Sequence, residues 1–291
     1  MNIPVIAVKG SDSSIPAGTI QFEEFALADN VDHSVLKEVN KKAEDIAFLP
    51  YSSGTTGLPK GVELVHRNIV VNCMQMDVDT ARHYEETTKT SQDSALGVLP
   101  FYHIYGLTVV MLHKLSVGLK VVTVPRFQPN TFLNTMKEHT IDILYAAPPL
   151  ILFIGAFADV KKEHLESIKT ITSGAAPIAN ADINRLFEKL KPSANFIQMY
   201  GLTETSPLAT LMHPGSKKYL TAGNAASNTE LRITDSEQIP LGPGKIGELQ
   251  IRGPQVMKGY RNNPEATKNA ISEDGWFRSG DLASIDEEGM V

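Results

Sequence analysis

The sequence predicts an α/β fold, a mainly parallel sheet with helices on both faces, joined to a smaller β subdomain. Two observations carry this expectation. Between residues 94 and 201, short β-rich apolar runs alternate with segments of helical length. After Gly201, strand-like runs recur with turn-rich connectors in place of helices. Single helices between strands imply right-handed crossovers and a covered parallel sheet, whereas strand–turn–strand succession implies a separate β unit.

The strand candidates are 94–100, 119–125, 141–147, 167–173 and 194–200, and the helical segments are 106–116, 129–139, 149–158 and 179–190. Pro129 and Asn180 stand where helix starts want them, and Asn184, Arg185, Glu188 and Lys189 fall off an apolar face. The apolar run from Ile143 to Ala158 is bounded by Asp142 and Asp159 and interrupted by Pro148 and Pro149. It falls short of the roughly 18 to 20 residues a membrane span needs, so it reads as a buried strand entering a buried helix, with no transmembrane segment. Runs 230–235 and 247–253 flank the connector LGPGKIG. Residues 1–45 are polar and weakly patterned apart from the strand-like IPVIAV.

The composition is that of an ordinary globular protein of 291 residues, long enough for a substantial core. Lys and Arg total 27 against 33 Asp and Glu, a net charge of −6. No basic surplus exists for general nucleic-acid binding, so any anionic ligand must be held by a local site. The single cysteine, Cys73, excludes an internal disulfide, suggests a reducing compartment and reads as a small buried hydrophobe. No Cys/His cluster has metal-ligand spacing, and MNIPVIAVKGSD lacks the pattern of a signal peptide.

The most informative stretch is YSSGTTGLPKGV at 51–62, placed between two strand-like runs. It brings together the hydroxyls of Ser52, Ser53, Thr55 and Thr56, the glycines Gly54, Gly57 and Gly61, and Lys60. Glycines let backbone N–H groups approach an anion, and hydroxyls and a lysine add donors, which is what a phosphate cradle requires. It is not the common P-loop, because Pro59 and Gly61 replace the glycine and the hydroxyl residue of that motif.

In open parallel sheets ligands bind beyond the carboxyl ends of the strands. PFYH at 100–103, SGAAP at 173–177 and YGLTET at 200–205 each end a predicted strand at that edge. Tyr200 offers an aromatic face, Thr203 a hydroxyl for a phosphate and Glu204 a hard oxygen ligand for Mg²⁺. DGWFRSGD at 274–281 holds the one tryptophan and ends in Asp281, an acid suited to a ribose diol.

In this order the stretches resemble the adenylate-forming superfamily of acyl-CoA synthetases, firefly luciferase and peptide-synthetase adenylation domains, with the nearest likeness to 4-coumarate–CoA ligases. The resemblance runs from about residue 40 to the end and rests on YSSGTTGLPKGV, YGLTET and GWFRSGD. It implies ATP-dependent formation of an acyl-adenylate and then a coenzyme A thioester, with ATP, Mg²⁺ and coenzyme A as cofactors. Carried over, the ATP site comprises Ser52, Ser53, Gly54, Thr55, Thr56, Gly57, Lys60, Gln198, Tyr200, Gly201, Thr203 and Asp281. The acyl pocket comprises His103, Tyr105, Val109, Ala175 and Met199, and Arg126 is the coenzyme A contact. Glu204 is the Mg²⁺ ligand, and His103, Lys60, Thr203 and Glu204 are the catalytic set.

The resemblance also implies the large domain of such an enzyme, truncated. Residues 1–45 are expected to be a remnant of its upstream part, 46–215 the ATP- and acyl-binding region, and 216–291 a β subdomain ending before the hinge. The partners implied are a small carboxylic acid and a C-terminal domain normally supplied in cis, whose absence predicts nucleotide binding with little turnover. The location implied is cytoplasmic or peroxisomal, since a peroxisomal address lies at the C-terminus of longer members. Met199 departs from coumarate-type ligases, which have glycine before this tyrosine, and so weakens the expectation of a coumarate substrate. An amino acid is disfavoured because no Asp or Glu occurs between Phe101 and Val124 to pair a substrate ammonium. A luciferase-like oxygenase and a non-catalytic nucleotide-binding remnant are the alternatives.

Overall fold

A computed structural model describes residues 6–8, 14–27, 34, 39–52 and 58–291. The chain divides into two compact units, Met1–Lys42 and Ala43–Val291. In the first, β1 (Ile6–Ala7) pairs in parallel with β2 (Ile20–Gln21), which runs into the short helix α1 (Phe22–Ala26).

The second unit begins with β3 (Ile46–Phe48), β4 (Tyr51–Ser52), β5 (Lys60–Val65) and α2 (His66–Gln75). Then come β6 (Ser94–Gly97), a wide π-helical segment (Tyr105–Leu112) continuing as α3 (His113–Ser116), and β7 (Lys120–Thr123). The alternation proceeds through α4 (Pro129–Glu138), β8 (Ile143–Ala146), α5 (Pro148–Ala156), β9 (Thr170–Ser173), α6 (Asn180–Phe187) and β10 (Asn195–Gly201). The remainder is β11 (Leu208–Leu211), β12 (Asn224–Ala225), β13 (Glu230–Thr234), β14 (Gly247–Arg252), β15 (Gly259–Tyr260), α7 (Pro264–Ala270) and β16 (Phe277–Ala283).

Seven strands form the main sheet in the order β12-β11-β10-β9-β8-β6-β7. The pairs β7–β6, β6–β8, β8–β9 and β9–β10 are parallel, and β11 and β12 add antiparallel strands at one edge. The five predicted strands are all present; four are shorter than expected, and β10 starts one residue later and runs one residue further, to Gly201. Their outer residues serve loops: the Asp142 carboxylate accepts from the Ser94 N–H at 2.9 Å, and the Lys169 N–H donates to the Asp142 carbonyl at 2.7 Å.

Because side chains alternate across a strand, each buried strand feeds two cores. Leu96, Leu144, Ala146, Ile171 and Phe196 face α4, α5 and α6, where Phe132, Met136, Ile151, Ile154, Ile183 and Leu186 complete one cluster. Ala95, Ile143, Tyr145 and Ile197 point the other way, against Tyr105, Val109 and Val110. The predicted helix at 106–116 starts as a π-helix instead. It is buried from Tyr105 to Val110, and a Cβ at Gly106 would lie 2.3 Å from the Pro100 carbonyl oxygen, so the segment is pressed against the loop ending β6.

Two smaller sheets adjoin: β13-β14-β16, and β15-β5-β3 with β4 also paired to β5. Residues 216–291 therefore contribute β12 to the main sheet and β15 to β5, as well as forming their own three-stranded sheet. A third cluster, including Val62, Leu64, Ile69, Leu249, Ile251 and Phe277, packs between them. Cys73 packs against this cluster, and burial pushes its thiol up to about 11, away from thiolate reactivity. Among the described residues no helix is long and apolar enough to cross a membrane.

Candidate functional site

The end of β10 shapes the site. A Cβ on Gly201 would lie 1.8 Å from the Pro207 carbonyl oxygen, so only glycine lets the chain double back this closely. The ladder with β11 slips between Tyr200 and Gly201, and the Leu202 N–H donates to the Pro207 carbonyl at 3.1 Å. A short 3₁₀ turn, Thr203–Thr205, follows and presents Thr203 and Glu204 to a cavity of about 1050 Å³. At the end of β9, Ala175 holds φ at +75°, a conformation costly for a residue with a Cβ, and borders the same cavity.

That cavity gathers Ser52, Lys60, Ala175, Gln198, Met199, Tyr200, Gly201, Thr203, Glu204 and Asp281. Ser53, Gly54, Thr55, Thr56 and Gly57 lie outside the described residues, while Ser52 and Lys60 flank them and both face the cavity. Tyr200 donates its hydroxyl to Asp281 Oδ2 at 2.6 Å, and burial together with this bond raises its pKa and keeps it a donor. The Asp281 N–H donates to Ser279 Oγ at 3.0 Å, whose own hydroxyl donates to the Leu249 carbonyl at 2.6 Å. The Gln198 amide donates to the Tyr219 carbonyl.

Glu204 is 7% exposed, and the Tyr260 hydroxyl donates to its Oε1 at 2.9 Å. No ion pair among the described residues includes it. Lys60 Nζ lies 5.0 Å from the centre of the Tyr260 ring, within cation–π range.

A second cavity of about 130 Å³ is lined by His103, Tyr105, Val109, Gly174 and Leu208. It shares Ala175, Met199, Tyr200, Gly201, Leu202 and Thr203 with the larger one, so the two meet at one wall. His103 Nδ1 accepts the Tyr105 N–H at 3.2 Å, which leaves the proton of the neutral ring on Nε2. Burial holds its pKa below the usual imidazole range. The Tyr105 hydroxyl and Thr172 Oγ1 share a 3.1 Å hydrogen bond, and burial raises the tyrosine pKa. Arg126 lines neither cavity. It stands exposed between β7 and α4, near Gln128.

Sequence reasoning missed Tyr260, Glu248 and Arg278, all of which line the larger cavity. Arg278 Nε is buried with no hydrogen-bond partner among the described residues. Arg278 sits inside the GWFRSGD stretch and could have been taken from it. Tyr260 gave a weaker signal, because β15 spans only Gly259–Tyr260 and pairs with a strand far away in sequence.

Against proteins of known kind, the chain is 36% identical over 296 residues to 4-coumarate–CoA ligase 3 of Oryza sativa subsp. japonica, covering 99% of this chain and 51% of that protein. It is 34% identical to 4-coumarate–CoA ligase 1 of Arabidopsis thaliana, covering 98% and 52%. The chain thus spans about half the length of the curated relatives it matches. Its fold is similar to the ATP-bound crystal structure of MatB from Rhodopseudomonas palustris, with a TM-score of 0.78, 30% identity, and coverage of 87% of this chain and 48% of that one. It is also similar to O-succinylbenzoate coenzyme A synthetase of Bacillus subtilis in complex with AMP, with a TM-score of 0.74, 25% identity, and coverage of 98% and 57%. The family profile described as AMP-binding enzyme matches residues 6–261, and the chain, with its paired cavities beyond the ends of β9 and β10, belongs to that family.

Proposed function

We propose that this chain provides the ATP and acid sites of an enzyme that converts a carboxylic acid to an acyl-adenylate and then to a coenzyme A thioester. The observation that carries the proposal is the shared wall. A small, mostly apolar cavity adjoins a larger one of mixed lining along Ala175 and residues 199–203. An acid seated in the small cavity keeps its tail against Tyr105, Val109 and Met199 and turns its carboxylate toward Thr203. The ATP-bound MatB structure and the coenzyme A ligases among the relatives support the same reading.

In the first step a carboxylate oxygen bonds to the α-phosphorus as the bond to the bridging oxygen breaks, and pyrophosphate leaves with that electron pair. Both reactants are anionic, so the work of the protein is to offset charge and fix geometry. Lys60 and the donors of residues 52–57 hold the terminal phosphates, and the Thr203 hydroxyl donates to the α-phosphate. The neutral His103 ring offers its Nε2–H to the acid. Tyr200 and Gln198 border the base, and Asp281 Oδ1 receives the ribose diol while Oδ2 stays with Tyr200.

Glu204 suits a Mg²⁺ ion. It is buried, keeps Oε2 free of the Tyr260 bond, and has no cationic neighbour within ion-pair distance among the described residues. Such ions are ordinarily held by one or two carboxylates together with substrate phosphates. When bound, the ion supplies charge neutralisation to the phosphates. In the second step the sulfur of coenzyme A, its thiol proton released to solvent, bonds to the acyl carbon and AMP leaves with the carbon–oxygen electron pair, with Arg126 as the proposed contact for the incoming cofactor.

Calorimetry of ATP and magnesium with the 291-residue chain tests the nucleotide site, and acid-dependent ATP–pyrophosphate exchange tests the chemistry. A protein that binds ATP, yet exchanges with no acid even when extended to the length of its relatives, would be a nucleotide-binding module instead.

A further inference from the structure

Tyr260 is held more firmly than a residue at a cavity mouth requires. The Asn68 amide donates to the Pro254 and Val256 carbonyls at 2.8 and 2.9 Å, and the Met257 N–H donates to the Glu204 carbonyl at 2.8 Å. The Lys258 and Arg261 N–H groups donate to the Glu63 and Gly61 carbonyls at 3.0 and 2.8 Å, which lays β15 along β5. The Tyr260 N–H is itself bound to Thr267 Oγ1 at 2.9 Å. The backbone of Tyr260 is thus fixed to the strand that begins at Lys60 and, through Met257, to the turn that carries Glu204.

The side chain lies between those two charges. Its hydroxyl reaches Glu204 Oε1 at 2.9 Å, and the Lys60 ammonium lies 5.0 Å from its ring centre. Lys60 and Glu204 line one cavity, are of opposite sign, and make no ion pair with each other. A flexible lysine beside a buried carboxylate with no other counter-charge would ordinarily close on it, because an uncompensated buried charge is costly. The aromatic ring gives the ammonium an alternative site, and the hydroxyl gives the carboxylate a neutral partner.

We propose that Tyr260 is a positioning residue that keeps Lys60 and Glu204 apart, leaving the lysine available to an anion and the carboxylate available to a cation. Without the ring the two charges neutralise each other, and both halves of the site lose their ligand together. This inference rests on the nucleotide reading of the cavity given above.

The test uses binding to the 291-residue chain, read by calorimetry with ATP in EDTA and by the electron paramagnetic resonance of Mn²⁺ added with ATP. Tyr260→Phe keeps the ring and removes the hydroxyl. It should leave metal-free ATP affinity within about twofold and weaken Mn²⁺ about tenfold or more, the range of one hydrogen bond to a charged group. Tyr260→Ala removes the spacer and should weaken both, metal-free ATP by about tenfold, the range for a buried pair gained at the expense of a ligand contact. Adding Glu204→Gln to Tyr260→Ala frees Lys60 again and should return metal-free ATP affinity to near the wild-type value. A residue that only filled space would give no such recovery. Unrecovered affinity in the double variant, or Mn²⁺ binding unchanged in Tyr260→Phe, overturns the inference while leaving the nucleotide reading intact. Absence of ATP binding by the wild-type chain overturns both.

Discussion

Tyr200 and Asp281, 81 residues apart, are joined by a 2.6 Å hydrogen bond that ties the end of β10 to β16 across the larger cavity. The bond occupies Oδ2 and leaves Oδ1 of this exposed carboxylate open to the cavity. Replacing Asp281 with Ala should weaken ATP binding about a hundredfold, the scale of two hydrogen bonds to an ionised acceptor. Tyr200→Phe should cost less than about threefold, because the ring and the carboxylate both remain. Calorimetric titration of the two variants checks the order, and equal losses would contradict it.

Gly201 predicts a stability effect independent of any ligand. Its Cβ position collides with the Pro207 carbonyl, and backbone cannot move aside as a flexible side chain can. Gly201→Ala should cost about 3 kcal/mol or more in chemical denaturation, the class of change reserved for forced strain. Gly242, around which nothing lies within 4 Å, is the control, and Gly242→Ala should stay within about 0.5 kcal/mol.

Lys114 gives a pH dependence with a definite sign. The residue is completely buried, its ammonium has no hydrogen-bond partner among the described residues, and it sits 4.1 Å from the Tyr84 ring centre and 5.3 Å from that of Tyr145. Burial lowers its pKa from 10.5 to about 7. Burial likewise takes its neighbours His83 and His113 down to about 3 and about 2, so neither changes charge in the same window. Between the folded and unfolded values the unfolded chain holds the proton that the folded one has lost, so stability rises with pH across that interval. The penalty is complete below pH 7 and relieved toward 10.5. Lys114→Met should therefore stabilise the protein, most at low pH. The difference between wild type and variant in urea denaturation should shrink by about 1.4 kcal/mol per pH unit at its steepest.

His103 should separate the two cavities functionally. It lines only the smaller one, so His103→Ala should raise the apparent KM for the acid about tenfold in pyrophosphate exchange and leave ATP affinity within about twofold. A comparable loss of ATP affinity would place the imidazole with the nucleotide instead.

The parallel sheet was legible because its strands are buried on both faces and read as short apolar runs with a helix between each pair. The run Ile143 to Ala158 reads as strand then helix, and the structure has a strand at Ile143–Ala146 and a helix at Pro148–Ala156, since Pro148 stands at the first helical turn and forbids continuation of the strand. The π-helical start at Tyr105 was not legible. A segment apolar on every side carries no periodicity from which to infer its turn, and its width is set by contact with Pro100. In the candidate site, residues grouped within one stretch line the larger cavity together, as with Tyr200, Thr203 and Glu204. Tyr260 escaped because its meaning lies in a partner 56 residues earlier and in Lys60 on another strand. Arg126 is proposed from the resemblance alone and lines neither cavity.

The pairing of β15 with β5 also sets a schedule for biosynthesis. One border of β5 gains its neighbour only when Gly259 and Tyr260 arrive, almost two hundred residues after Lys60 leaves the ribosome. Until then a nascent chain carries an incomplete lining for the larger cavity and an open strand border, the kind of surface that chaperones shield during translation. Ribosome-stalled chains ending before residue 259 should therefore not retain ATP, whereas those with the whole of β15 clear of the exit tunnel begin to.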